Sequence, residues 1–204
     1  QQGELVSFNT NERANLRSGD RRTSADRTEA RFNSRTNSLV ELVQSGNFQF
    51  VEGQRQVSAR NARFEDEGNV VKLDGAPIVT DSRMRLQASQ IELDQRNSSF
   101  VAVGNVKTVT SNSEEPVLVT AGRAQGKADS LLYTENVQLW RGNAYIKANR
   151  LEVSSQDNRL NADGNVQSNI EAIRAVSDKL EYDDARQVAH YGGNVRAQKQ
   201  DMVL

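Results

Sequence analysis

Few side chains in this sequence have the type and spacing that catalysis needs. His190 is the single histidine and stands three residues before Gly193, where alternate residues are polar, so it is expected on a wet face rather than as a base or ligand. Glu65-Asp66-Glu67 and Asp183-Asp184 offer carboxylate oxygens to a cation, but both fall where turns are expected, and a solvated loop accounts for them. No serine lies in a Gly-x-Ser-x-Gly elbow, and no Walker loop, dinucleotide fingerprint or zinc spacing occurs. The absence of cysteine removes thiolate chemistry, disulfides and cysteine metal sites. The reading is a protein that is not an enzyme, with no cofactor and no metal. Trp140, expected to point outward, is the one aromatic to suspect at an interface.

What recurs instead is hydrocarbon. Gly46-Asn47-Phe48, Gly104-Asn105-Val106, Gly164-Asn165-Val166 and Gly193-Asn194-Val195 share one form, and Gly75-Ala76-Pro77 and Glu135-Asn136-Val137 are degenerate copies. The steps between them are 29, 29, 31, 29 and 29 residues, which is the spacing of a structural repeat. Two and four residues to either side of the first position, 21 of 24 residues are apolar; at the odd positions between, only 6 of 24 are. That is period 2, a strand with one face buried, and it excludes a helix. The three exceptions are Gln44, Thr108 and Ser168.

A second apolar set precedes each of the last five copies. Its clearest member is Ile146, Ala148, Leu151 and Val153; the others are Val57, Ala59, Ala62, Phe64; Leu86, Ala88, Ile91, Leu93; Val119, Ala121, Ala124, Gly126; and Ala175, Ser177, Leu180, Tyr182. A first repeat around Ala25 and Ala30 is worn.

These patterns dictate how the elements must lie. A tight turn at Gly164-Asn165 would put Ala162 and Val166 on opposite faces, yet both belong to the apolar set, so the strand runs through and is bent at the glycine. The three-residue step from Ala148 to Leu151 implies one extra residue in the facing strand. With Ser154 to Arg159 as the turn, pairing Val153 with Leu160 sets Asn149 opposite Gly164, and both strands bend on one line. Each repeat is then a hairpin folded across its middle, giving one leg to each of two sheets. Roughly twelve long bent strands are expected, or up to twice that number where each is cut at the crease.

The inner face lies in a trough between the sheets. Its expected lining comprises Phe64, Leu86, Ile91, Leu93, Phe100 and Val106 in the first half of the chain. In the second half it comprises Tyr133, Val137, Leu139, Ile146, Leu151, Val153, Leu160, Val166, Leu180, Tyr182 and Val195. The same pattern fits a closed sandwich whose inner face packs on itself. The bulk composition agrees with a polar-outside repeat: 36% apolar residues, a mean hydropathy of −0.72, and 26 basic against 27 acidic side chains, a balance that argues against a nucleic-acid partner. No apolar run is long enough to span a bilayer and no signal peptide opens the sequence. Residues 1–24, with Leu5, Val6 and Phe8 followed by a basic run, read as a linker or the remnant of a preceding repeat, and residues 25–204 as the repeat domain. Leu204 stands where a further repeat would begin, so both chain ends are expected at open sheet edges.

The unit Ile-Lys-Ala-Asn-Arg-Leu-Glu-Val … Leu-Asn-Ala-Asp-Gly-Asn-Val at 146–166 resembles the OstA-like repeat of the periplasmic lipopolysaccharide transport proteins, the LptA–LptC–LptD family, over about residues 25–197. The resemblance implies an all-β, OstA-like β-jellyroll, open along one side, that carries the acyl chains of lipid A toward the outer membrane. It further implies a periplasmic location, with the signal or anchor lying outside this sequence. Family members pair head to tail by edge strands, so the partners implied are lipopolysaccharide, other jellyroll domains of the transport bridge, and further copies of the chain itself. Which member the chain corresponds to, including a fusion of LptC-like and LptA-like parts, stays open at this point. From the residues alone, a structural or adhesion scaffold with a packed interior is the rival. A carbohydrate-binding domain ranks below both, because it needs exposed aromatic platforms and only 5% of residues are aromatic.

Overall fold

The computed structural model describes residues 5–110 and 115–199, with side chains from Ser7 onward; Leu204 lies outside the described residues. The chain divides into two compact units, residues 1–102 and 103–204. Both are built of antiparallel strands, and one turn of 3-10 helix (Asp66–Gly68) interrupts them. Among the described residues no helix is long and apolar enough to cross a membrane.

In unit 1 the strands are β1 (Leu5–Thr10), β2 (Ala14–Ser18), β3 (Arg21–Ala25), β4 (Arg27–Asn33), β5 (Leu39–Glu52) and β6 (Arg55–Glu65), then β7 (Val70–Asp74), β8 (Ile78–Thr80), β9 (Met84–Gln87) and β10 (Gln90–Asp94). The division between the units falls within β11 (Ser99–Thr110). Unit 2 continues with β12 (Val117–Lys127), β13 (Ser130–Arg141), β14 (Ala144–Ser154), β15 (Arg159–Ile170), β16 (Ile173–Asp183), β17 (Val188–Gly192) and β18 (Arg196–Lys199).

The bent hairpin is the building block. β14 and β15 pair from Ser154↔Arg159 through Val153↔Leu160 to Arg150↔Asp163, the register breaks, and pairing resumes at Lys147↔Gln167. The break occurs at the same point of β5–β6, β12–β13, β13–β14 and β15–β16. Gly164 and Asn165 both take positive φ there (77° and 51°), as do Gly46-Asn47, Gly104-Asn105 and Gly193-Asn194. Two successive left-handed residues turn the strand without ending it, and glycine followed by asparagine is the cheapest pair for that conformation. A Cβ on Gly164 would lie 2.7 Å from the Asn149 side chain, so the expected facing of these two residues holds and also explains why the position is bare. Where pairing fails at the bend the strand is divided, which turns twelve bent strands into β3/β4, β7/β8, β9/β10 and β17/β18 beside the continuous ones.

A thirteenth bent strand comes from the stretch ahead of the first glycine. β1 pairs with β4 through Phe8↔Ala30 and Thr10↔Thr28, and β2 pairs with β3 through Ala14↔Ala25 and Leu16↔Thr23. β15 meets β16 in the same pattern, through Ala162↔Leu180 and Val166↔Ser177. Residues 5–18 thus form the second strand of a hairpin, with Glu12 where all the other copies but Glu135 carry glycine. The worn first repeat is well packed: Ala25 and Ala30 are buried.

Candidate functional site

Within each unit most of the apolar set is buried, and side chains of the two legs meet across the interior. Phe48, two residues past its bend, meets Phe64 of the other leg edge to face, with centroids 6.0 Å apart. The contact joins a leg of one repeat to the opposite leg of the next.

Burial along the inner face is graded. Beside the creases it is complete: Leu151 is 0% exposed, and Leu86, Ile91, Val106, Val137, Val166 and Leu180 are each at 2% or less. Phe64, Leu139 and Ile146 are buried as well. Toward the far end of one leg, Leu93, Phe100, Val153, Leu160 and Tyr182 are half-buried. The half-buried positions of that leg form an apolar rim beyond the buried residues of the crease. Val195 departs from the expected lining: it is 46% exposed, although Val106, Val137 and Val166 hold the same place in their repeats. It lies between β17 and β18, and β18 pairs with β16 on one side (Ala175↔Ala197).

Two of the three exceptions to the apolar alternation turn out to be partners of tyrosines. The Thr108 and Tyr133 hydroxyls are 2.8 Å apart, and those of Ser168 and Tyr191 are 2.9 Å apart. Each pair joins one leg to the other across the interior. Burial pushes the Tyr133 hydroxyl up to about 12, a rise that its hydrogen bond to Thr108 only partly offsets. The signal was present in the sequence, since each tyrosine sits two residues before its bend, one repeat after a residue with a hydroxyl group. Gln44, the third exception, is fully buried and donates from Nε2 to Thr28 Oγ1 at 3.4 Å, within one leg.

The crease carries polar side chains on its outer side. Asn47 Nδ2 donates to Asp26 at 2.7 Å and Asn194 Nδ2 to Asp178 at 2.8 Å, while the Asp26 and Asp178 amides donate to the carbonyls of Gly46 and Gly193, both at 2.9 Å. The asparagine that follows the glycine therefore ties the bend of one strand to the bulge of its neighbour. At the leg tips Arg141 makes an ion pair with Asp184. The Tyr182 hydroxyl beside them is raised above its ordinary value by desolvation first and by Asp184 next, against the lowering effect of Arg141.

The residues weighed as catalytic or metal-binding are dispersed. His190 is exposed on the outer face, opposite Glu181. Glu65-Asp66-Glu67 and Asp183-Asp184 occupy strand ends and turns, and among the described residues no cluster of histidine, aspartate and glutamate could hold a metal ion. Trp140 corrects the expectation of an exposed aromatic: it is half-buried, its ring 5.6 Å from that of Tyr145 on the outer face. Phe8, at 55% exposure, is the aromatic left open.

Bent hairpins thus enclose an apolar interior in each unit. A family model described as the LptA/(LptD N-terminal domain) LPS transport protein matches residues 14–99 and again 119–204. The chain belongs to this family. No curated protein matches the sequence. Among solved structures, LptH, the LptA-homologous periplasmic component of the lipopolysaccharide transport device of Pseudomonas aeruginosa, aligns with 72% of this chain and 95% of its own at 13% identity and a TM-score of 0.46.

Proposed function

We propose that this chain is a periplasmic carrier of lipopolysaccharide that takes the acyl chains of lipid A between the two legs of its jellyroll and passes them toward the outer membrane. The observation that carries the reading is the continuity of the apolar inner face from buried crease to half-buried rim, in a chain whose family transports this lipid. Acyl chains entering at Leu93, Phe100, Val153, Leu160 or Tyr182 would meet hydrocarbon at once, and each Å² they bury there is worth about 25 cal/mol. Deeper entry requires the legs to part, because the side chains beside the crease already cover one another.

The experiment is photocrosslinking with purified lipopolysaccharide. Photoreactive residues at Phe64, Ile91, Leu93, Leu160 and Tyr182, taken together, are expected to capture the lipid, and those at the outward positions Gln138 and Gln167 are not. Equal labelling of both sets would defeat the proposal.

One observation favours a second reading. The near-zero exposure of Leu151, Val166 and Leu180 is what a scaffold with a packed interior would show. That reading requires no inner position to be captured at any lipid concentration.

Association with jellyroll domains of the transport bridge, or with further copies of this chain, belongs to the same proposal. Phe8 in β1 and Val195 just ahead of β18 are both uncovered, and strand addition at such an edge would bury them.

A further inference from the structure

Three polar ties join the legs of unit 2, and the equivalent positions in unit 1 make none of them. The first two are the hydroxyl pairs Tyr133–Thr108 and Tyr191–Ser168. Counted from the bend, the tyrosine position is two residues before it and the hydroxyl position four residues after the previous bend. In unit 1 those positions pair Leu73 with Phe50 and Ala102 with Val79, side chains that cannot hydrogen-bond. The third tie is the Arg141–Asp184 ion pair between leg tips. Its counterparts in unit 1 are Glu52 and Gln95, each turned to its own leg: Glu52 accepts from Arg21 at 2.6 Å, and Gln95 Nε2 donates to the Gly68 carbonyl at 2.8 Å.

The difference decides which legs can part. Where legs meet through hydrocarbon alone, as at Phe48 and Phe64, an acyl chain replaces one apolar contact by another and little is lost. Where they meet through hydroxyls, one pair buried and the other partly so, parting them into hydrocarbon leaves donors and acceptors without partners, which is the costly way to open an interior. An exposed ion pair alone is weak, but here it closes the tips beyond the two internal pairs.

We propose that the units divide the work: unit 1 opens to receive the acyl chains, and unit 2 is held shut by the two tyrosine pairs and the Arg141–Asp184 pair. This rests on the carriage reading above and adds where in the chain the acyl chains go.

The test uses the full chain, which has no native cysteine and so accepts spin labels cleanly. One variant is labelled at Gln54 and Arg96, the other at the equivalent Asn143 and Ala185, so that each pair spans the leg tips of one unit. Without lipid, the distance distribution should be at least twice as broad in unit 1 as in unit 2. Tyr133→Phe with Tyr191→Phe and Asp184→Asn should broaden unit 2 to match, and the surface change Asp184→Asn alone should broaden it in part, a control should the triple variant not fold. Purified lipopolysaccharide should lengthen the unit 1 distance and leave unit 2 unchanged. Equal widths in the unaltered units, or no broadening when the ties are removed, would overturn the division. Lipopolysaccharide that moves neither distance would overturn carriage, while the widths would still judge the ties.

Discussion

Gly122 and Glu135 face each other at the bend between β12 and β13, and a Cβ on Gly122 would lie 2.6 Å from the Glu135 Cβ. In the hairpins of Gly46, Gly75, Gly164 and Gly193 the bare residue is on the second strand, as with Gly164 against Asn149; here it has moved to the first. The crease needs one missing side chain per hairpin and accepts it from either strand. Glu135 is held at a φ of 71°, a left-handed conformation that costs a side chain about 1–2 kcal/mol.

Gly122→Ala is therefore expected to destabilise by about 1–3 kcal/mol through overlap with Glu135. Adding Glu135→Gly removes both the overlap and the strain, and should return the urea midpoint to within about 1 kcal/mol of the parent. A double variant no better than Gly122→Ala alone would show that the two residues do not compensate.

Tyr133 makes stability depend on alkaline pH. Its hydroxyl ionises near 10 in the unfolded chain and only at about 12 in the folded one. The folded state therefore holds this proton more tightly; the contribution is complete below pH 10 and is lost as pH rises toward 12. Across that window it amounts to about 2–3 kcal/mol. Unfolding midpoints followed from pH 9 to 11.5 should fall more steeply for the parent than for Tyr133→Phe. Parallel curves would refute the assignment.

The repeat and its phase were legible because the crease imposes them: a bare residue must recur beside each bulge, and alternation must survive it, so Gly164 and Asn149 could be placed opposite one another from spacing alone. The hairpin strand at residues 5–18 escaped the period for two local reasons. Glu12 replaces its glycine, and the β4–β5 hairpin is longer from bulge to bend, 20 positions from Asp26 to Gly46 against 15 from Asn149 to Gly164, which sets Gly46 34 residues after Glu12 rather than 29. The ties across the interior left a trace in the spacing of tyrosine and hydroxyl residues, but period 2 assigns a residue to a face without saying which residue of the opposite leg it meets, so the trace could be read only with the structure. Thr108 and Ser168 thus looked like blemishes in an apolar row. For the same reason the pattern gave Leu151 and Leu160 one role, whereas depth along the leg separates them.

That separation has a measurable consequence. Leu151→Ala empties a fully buried site beside the crease and should cost about 2–5 kcal/mol. Leu160→Ala, at the half-buried rim, should cost about 1 kcal/mol, yet lower lipopolysaccharide capture at the neighbouring Tyr182 several-fold. Loss of capture without loss of stability identifies a lipid contact. If capture falls only in proportion to unfolding, Leu160 is ordinary packing.

The last expectation concerns assembly. Val195 sits at a register where Val106, Val137 and Val166 are covered, and it is open because β18 is paired through β16 on one side while its own side chains face solvent. An added strand would bury Val195 and pair with the side of β18 that has no partner among the described residues, whether it comes from another copy or from a different jellyroll domain. A contact between unlike edges does not close on itself, so sedimentation should show an average mass that climbs steadily with concentration rather than stopping at a dimer. Val195→Lys places a charge where the added strand would pack and should shift that climb to at least tenfold higher concentration, with the unfolding midpoint of the single chain nearly unchanged. A parent chain that stays monomeric at high concentration, and does not pair when mixed with other jellyroll domains of the transport machinery, would rule out edge-strand assembly; a Val195→Lys variant that associates as readily as the parent would place the contact elsewhere.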